Sequence, residues 1–165
     1  MLLDANEWNK ISRKPKKHKN EKFILNYFLG NLTSDKKNEI NRIAKENNCI
    51  IINILEKGDQ YYTCGPSEFL WLVKNSFLVC TDSFHASVFS ILFNRPFIVF
   101  DRDDKLKKMS SRIDTLLDTF ELKDRRYNGN KIMADNLKHD YSNAYMILKK
   151  EINKSKSFLK NSLEK

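Results

Sequence analysis

The sequence predicts an α/β domain, a parallel sheet with helices on both of its faces. Short apolar runs rich in β-branched and aromatic residues recur at 23–29, 49–55, 77–81 and 97–100. The stretches between them carry helical rather than hairpin spacing, and strands alternating with helices build parallel sheets buried on both sides. A polar turn, Thr81-Asp82-Ser83-Phe84-His85, joins the third run to a helix-like segment. Such a turn lies where open α/β sheets hold ligands: the strand delivers side chains at its carboxyl end and the helix offers unpaired N–H groups to an anion.

Residues 1–22 read as a basic lead-in or linker, residues 23–136 as the α/β domain, and residues 137–165 as a C-terminal amphipathic helix. Phe23 to Leu29 is predicted as the first strand, turned by Gly30-Asn31. Thr33 or Ser34 is placed to cap a helix whose Ile40, Ile43 and Ala44 follow i, i+3, i+4 spacing. Cys49 to Leu55 is the second strand; 56–65 is loop, with a short strand at Gln60 to Thr63. Pro66 suits the first turn of a helix through Val73, where its missing N–H has no partner to lose. Strand 77–81, helix 85–93 and strand 97–100 follow. A helix from about 105 to 120 then places Leu106, Met109, Ile113, Leu116, Leu117 and Phe120 on one face. Residues 124–136 read as loop with a turn at Asn128-Gly129. Beyond 138, Tyr141, Tyr145, Leu148, Ile152, Leu159 and Leu163 recur at three-, four- and seven-residue steps, a stripe that needs a surface to cover.

A chain of 165 residues with 41% apolar content suits one soluble domain with a core. No apolar run approaches the ~20 residues of a membrane span, and the first residues lack the pattern of a signal peptide, so the expected compartment is the cytoplasm. Cys49, Cys64 and Cys80 have no C-x-x-C spacing and read as reduced thiols, with no metal site. The net charge of +9 is concentrated in Lys10, Arg13, Lys14, Lys16, Lys17, Lys19 and Lys22, and in Lys149, Lys150, Lys154, Lys156 and Lys160. No aromatics interleave the basic run for base stacking, so it is read as solvated surface, without a nucleic-acid partner and with at most peripheral membrane association. A single glycine at Gly30 is no dinucleotide fingerprint, and no cofactor is expected.

The run TDSFHASVFSILFNRPFIVF over 81–100, followed by Ser110-Ser111-Arg112-Ile113 and Leu116-Leu117, resembles the polysaccharide pyruvyl transferase family. Tyr27-Phe28-Leu29-Gly30 and Gly65-Pro66-Ser67-Glu68-Phe69 upstream, and Leu122 and Arg125-Arg126 downstream, extend the resemblance in the family's order. Members look like two-lobed, glycosyltransferase-B-type enzymes with Rossmann-like halves. The resemblance implies that this chain is the C-terminal lobe alone, whether as a fragment, the product of a split gene partnered by a separate N-terminal lobe, or an excised domain. The implied reaction transfers a pyruvyl group from phosphoenolpyruvate to two hydroxyls of a saccharide acceptor, in exopolysaccharide or other surface-glycan biosynthesis.

That chemistry needs cations and N–H donors for the anionic donor, a proton source for the enol carbon, and a base for the sugar hydroxyls. His85 is the candidate catalytic residue, since imidazole as a residue type changes charge near neutral pH. Ser83, Arg102, Arg112, Gly30 and Asn31 are the candidate substrate-binding residues. Ser83 is equally placed to cap the helix, and Asp82 reads as an alternative cap whose charge is unfavourable beside a phosphate. Two departures stand out: Ala86 replaces the family's usual glycine, and more distant members carry Arg where this chain has Ser83. The alternative reading is a non-catalytic α/β module that binds an anion or a partner.

Overall fold

The computed structural model describes residues 3–102, 110–138 and 141–164. Four strands form one all-parallel sheet: β1 (Phe23–Tyr27), β2 (Ile50–Asn53), β3 (Leu78–Thr81) and β4 (Phe97–Val99), in the order β2-β1-β3-β4. Register is set by apolar pairs, with Ile24 opposite both Ile51 and Leu78, and Val79 opposite Phe97. Phe23, Ile24 and Leu25 are all buried, as are Leu78, Val79 and Cys80. Successive side chains point to opposite faces, so a continuous apolar run requires a cover on each face. The domain is Rossmann-like in this sense, with helices on both sides.

One face carries α2 (Ser34–Glu46), whose Ile40, Ile43 and Ala44 pack with Ile24, Leu78, Cys80, Ile98 and Phe100. The other carries α3 (Pro66–Asn75) and α4 (Phe84–Leu92). Leu70, Leu72, Val73, Ile91 and Leu92 of these helices cluster with Leu25, Val79, Phe97 and Val99. Pro66 opens α3, and the Gly65 N–H donates to the Glu68 carboxylate at 2.9 Å. Helix α5 (Ser110–Thr119) buries Ile113, Leu116 and Leu117, with Phe120 just beyond its end, against the same cluster. Leu106 and Met109, predicted for this face, lie outside the described residues.

Several local expectations change. The lead-in is no bare linker: Ala5–Ile11 forms α1, capped by Asp4 Oδ1, which accepts from Asn6 N at 2.9 Å. Its Trp8 packs edge-on against Phe89 of α4 with ring centroids 5.1 Å apart. Further on, His18 is buried between Phe23 and Trp71, with Nδ1 at 3.0 Å from the Tyr61 hydroxyl. Isolated aromatic anchors in a polar context have no periodicity to reveal them. The Thr33 side chain makes no cap hydrogen bond. Gln60 to Thr63 forms turns, not a strand, because Asp59 ties Asn53 N and Tyr61 N together at 2.8 Å each. The region read as loop at 124–136 contains a 3-10 turn at Lys123–Arg125 and a short helix, α6 (Ala134–Leu137). It also extends the sheet edge, since Tyr127 N donates to Val99 O at 2.8 Å.

Helix α7 (Ser142–Leu163) covers the core only with its first half. Tyr141, Ala144, Leu148 and Ile152 are buried, whereas Phe158 and Leu163 on the later turns are 71% and 83% exposed. Leu148→Ala should therefore cost about 2–5 kcal/mol in urea unfolding, while Phe158→Ala should stay within about 0.5 kcal/mol of the parent.

Burial, and then the charge of Lys14, hold the His18 imidazole below its ordinary value, against a smaller upward pull from Glu21. The unfolded chain thus binds a proton that the folded chain resists. This contribution to stability is complete above the ordinary pKa of 6.5 and is lost as pH falls through 6.5 toward the lower folded value. His18→Phe should flatten the stability profile across that window, at a cost of about 1 kcal/mol at neutral pH from the lost Tyr61 hydrogen bond.

Candidate functional site

In the order β2-β1-β3-β4 the chain leaves β1 in one direction and reaches β3 on the other side, so β1 and β3 flank the topological switch point. Ligands of open α/β sheets bind in the crevice at the carboxyl ends of such strands. Both loops that meet here are tied to each other. Thr81 Oγ1 donates to Tyr27 O at 2.6 Å and accepts from Ser83 N at 2.9 Å. Asp82 reaches across to the loop after β1, where Oδ1 accepts from Leu29 N and Oδ2 from Gly30 N, both at 2.8 Å.

Arg102, after β4, completes this bracket. Its Nε stands 2.8 Å from Asp82 Oδ2 as an ion pair rather than an aligned hydrogen bond. The Asp82 side chain is 4% exposed and that of Arg102 20%, so the pair is held largely out of water. Gly30 suits this close approach: a Cβ there would lie 3.2 Å from Asp82 Oδ2 and 3.3 Å from Arg102 Cδ, both tight contacts. Asp82 is thus neither a helix cap nor a phosphate-repelling surface charge. It is the anchor of the crevice, and Arg102 is engaged with it.

Ser83 begins α4, but its hydroxyl makes no cap hydrogen bond; its carbonyl accepts from Ser87 N and Ser87 Oγ. The capping role open to Ser83 is therefore not realised. His85, in the first turn of α4, is exposed, and its ring makes no hydrogen bond among the described residues. It stands edge-on to Phe84 at 5.7 Å between centroids, and the Arg112 guanidinium carbon lies 5.6 Å from the same ring. His85 and Arg112 thus both neighbour the Phe84 ring, a relation invisible across their separation in sequence. Ala86 is buried in the core, so its methyl faces packing and not the crevice.

Gly30 and Asn31 belong to a second feature, a cleft of about 580 Å³ on the α2 side of β1 and β2. Asn26, Asn41 and Asn53 line it together with Lys37 and Glu56. At its floor Asn26 Nδ2 donates to Asn53 Oδ1 at 2.9 Å, in the register that sets the two residues opposite each other. Sequence reading did not single out these asparagines. The available signal was a polar residue near the end of two otherwise apolar strands.

The site therefore has two parts: the His85 imidazole at the start of α4, with Arg112 of α5 against the neighbouring Phe84 ring, and an amide-lined cleft beside β1 and β2. The model of the polysaccharide pyruvyl transferase family matches residues 1–104, which include both parts except Arg112. The chain belongs to that family. No curated protein and no solved structure matches it. Among the described residues no helix is long and apolar enough to cross a membrane.

Asp82→Asn should destabilise this family member by on the order of 3 kcal/mol, because it leaves the Arg102 charge largely buried and without its counter-charge. Hydrogen exchange should rise first at Leu29 and Gly30, whose amides lose their charged acceptor; unchanged exchange there would refute the anchoring role.

Proposed function

We propose that the chain is the C-terminal half of a polysaccharide pyruvyl transferase, taking phosphoenolpyruvate as donor and a sugar of a surface polysaccharide as acceptor, in the cytoplasm. The observation that carries this reading is His85, exposed and unbonded at the N-terminal turn of α4, next to the switch-point crevice.

The reaction joins two sugar hydroxyls to C2 of the donor, converts its methylene C3 to a methyl group and releases inorganic phosphate. One hydroxyl proton balances C3 and the other leaves with the phosphate. His85 is assigned the proton transfer, because its ring nitrogens are open to solvent and to a ligand. Arg112 and the first N–H groups of α4 are assigned the anionic groups of the donor, a position where helix N–H groups and dipole both favour negative charge. The Ser83 hydroxyl, free of capping, is assigned a donor contact where distant members carry Arg. Arg102 is assigned an indirect part: its Nε faces the Asp82 carboxylate and its Nη2 donates to the Asp82 carbonyl at 3.4 Å, so it holds the turn in place.

Phosphoenolpyruvate titrated into the chain should give saturable NMR shifts at 81–86 and at Arg112. His85→Ala should weaken binding by about 10–100-fold, the loss of one hydrogen bond to a charged group. Inorganic phosphate should compete. A folded chain with no donor-dependent shift would favour the alternative, a non-catalytic module.

A further inference from the structure

We propose that the amide-lined cleft between α2 and the ends of β1 and β2 is a binding site for a neutral pyranose ring, and that it holds the acceptor next to the donor turn. The second half of this statement rests on the transferase reading; the first does not.

The cleft's volume, about 580 Å³, lies within the ~300–1,000 Å³ of ordinary small-molecule sites. Its chemistry is unlike that of the His85 turn. Lys37 and Glu56 contribute one charge of each sign, so the lining has no net charge to recognise a phosphate or carboxylate. Its other polar groups are carboxamides, from Asn26, Asn31, Asn41 and Asn53. A carboxamide both donates and accepts, and so does a sugar hydroxyl, which makes this residue type fit for a ring carrying several hydroxyls. Apolar side chains, among them Phe28, Ile40 and Ile51, lie beside these amides and match the C–H faces of such a ring.

The polar groups are also available. Asn31 and Asn41 side chains make no hydrogen bond among the described residues. Asn26 is 6% exposed, and its Oδ1 has no partner among the described residues although Nδ2 is engaged with Asn53. Buried polar groups are almost always satisfied, so an acceptor left over at the floor of a cleft calls for a partner from outside the chain. Asn53 is itself fixed, since its backbone N–H donates to Asp59 at 2.8 Å. The floor is thus preorganised by the strand register and by Asp59 of the turn that follows β2.

The placement explains how both substrates meet. Gly30 and Asn31 form a wall of the cleft, and Gly30 N is held by Asp82, the residue immediately before Ser83 at the start of α4. The loop 28–31 therefore separates the ring in the cleft from an anion at the helix start by the width of one backbone turn.

The test is an NMR titration of the chain with methyl glucopyranoside, galactopyranoside and mannopyranoside and with neutral trisaccharides, following backbone amides and the asparagine side-chain NH2 signals. Saturable shifts are expected at Gly30, Asn31, Asn41 and Asn53. Asn41→Ala, an exposed helical change that leaves the fold intact, should weaken binding about 3–10-fold. No saturable shift with any saccharide up to the solubility limit would overturn the proposal. So would cleft shifts produced only by inorganic phosphate or a nucleotide. A parallel phosphoenolpyruvate titration separates the two readings. Donor shifts at 81–86 with a silent cleft would sink the saccharide site alone, whereas cleft shifts with a silent donor turn would sink the transferase assignment and leave a saccharide-binding domain.

Discussion

A single carboxylate holds the working edge of this domain together. Asp82 sits at the end of the central strand β3, where it accepts the Leu29 and Gly30 amides and faces the Arg102 guanidinium. Three chain segments far apart in sequence, the loop after β1, the turn after β3 and the segment after β4, meet on its two oxygens. Hydrogen bonds to a charged group are about twice as strong as neutral ones, and burial makes each of them costly to break. The same burial keeps the negative charge away from solvent, so the crevice rim is presented by Arg102 and by helix N–H groups. Glycine at position 30 suits this closeness, since a Cβ there would make tight contacts with both members of the ion pair.

Around that anchor, the sheet divides the labour by face. Even-numbered residues of β1 point to α2 and odd-numbered ones to α3 and α4, so Ile24 and Asn26 share a side with Ile40 while Leu25 packs with Val73. Toward the carboxyl end the α2 side changes from apolar to polar, and the space left there is the amide-lined cleft. On the other face, α4 packs through Val88, Ile91 and Leu92 and presents His85 to solvent at its first turn. A tightly packed helix with an exposed first turn suits a reacting group that must be held rigidly yet reached from outside.

The surface charge has a simpler explanation than its magnitude suggests. Each basic residue of the run from Lys10 to Lys22 is exposed, while the residues that hold the segment down are Trp8, Pro15 and His18. Attachment combines these side chains with hydrogen bonds such as Arg13 N to Ser67 O at 3.0 Å and Lys22 Nζ to Asn47 O at 3.1 Å. The C-terminal helix has the complementary arrangement, firm where Leu148 and Ile152 enter the core and solvated beyond.

Composition and periodicity were enough to determine the α/β class, the four strands and the helices α3 and α4 within a residue or two, and the apolar faces of α2 and α5, because buried parallel strands leave uninterrupted apolar runs and amphipathic helices leave a 3.6-residue stripe. The turn at Asp82 to His85 was legible for a related reason: polar residues between a buried strand and a helix have few places to be. What the sequence could not express was which side chains meet. The pairing of Asp82 with Arg102 and Gly30, the shared contact of His85 and Arg112 with Phe84, and the facing asparagines 26 and 53 all join residues distant along the chain. Helix α1 and the burial of His18 were missed because single aromatic anchors carry no period. Local pattern records which residues need to be buried, whereas the partner each one finds depends on strand order and register, which only the folded sheet supplies.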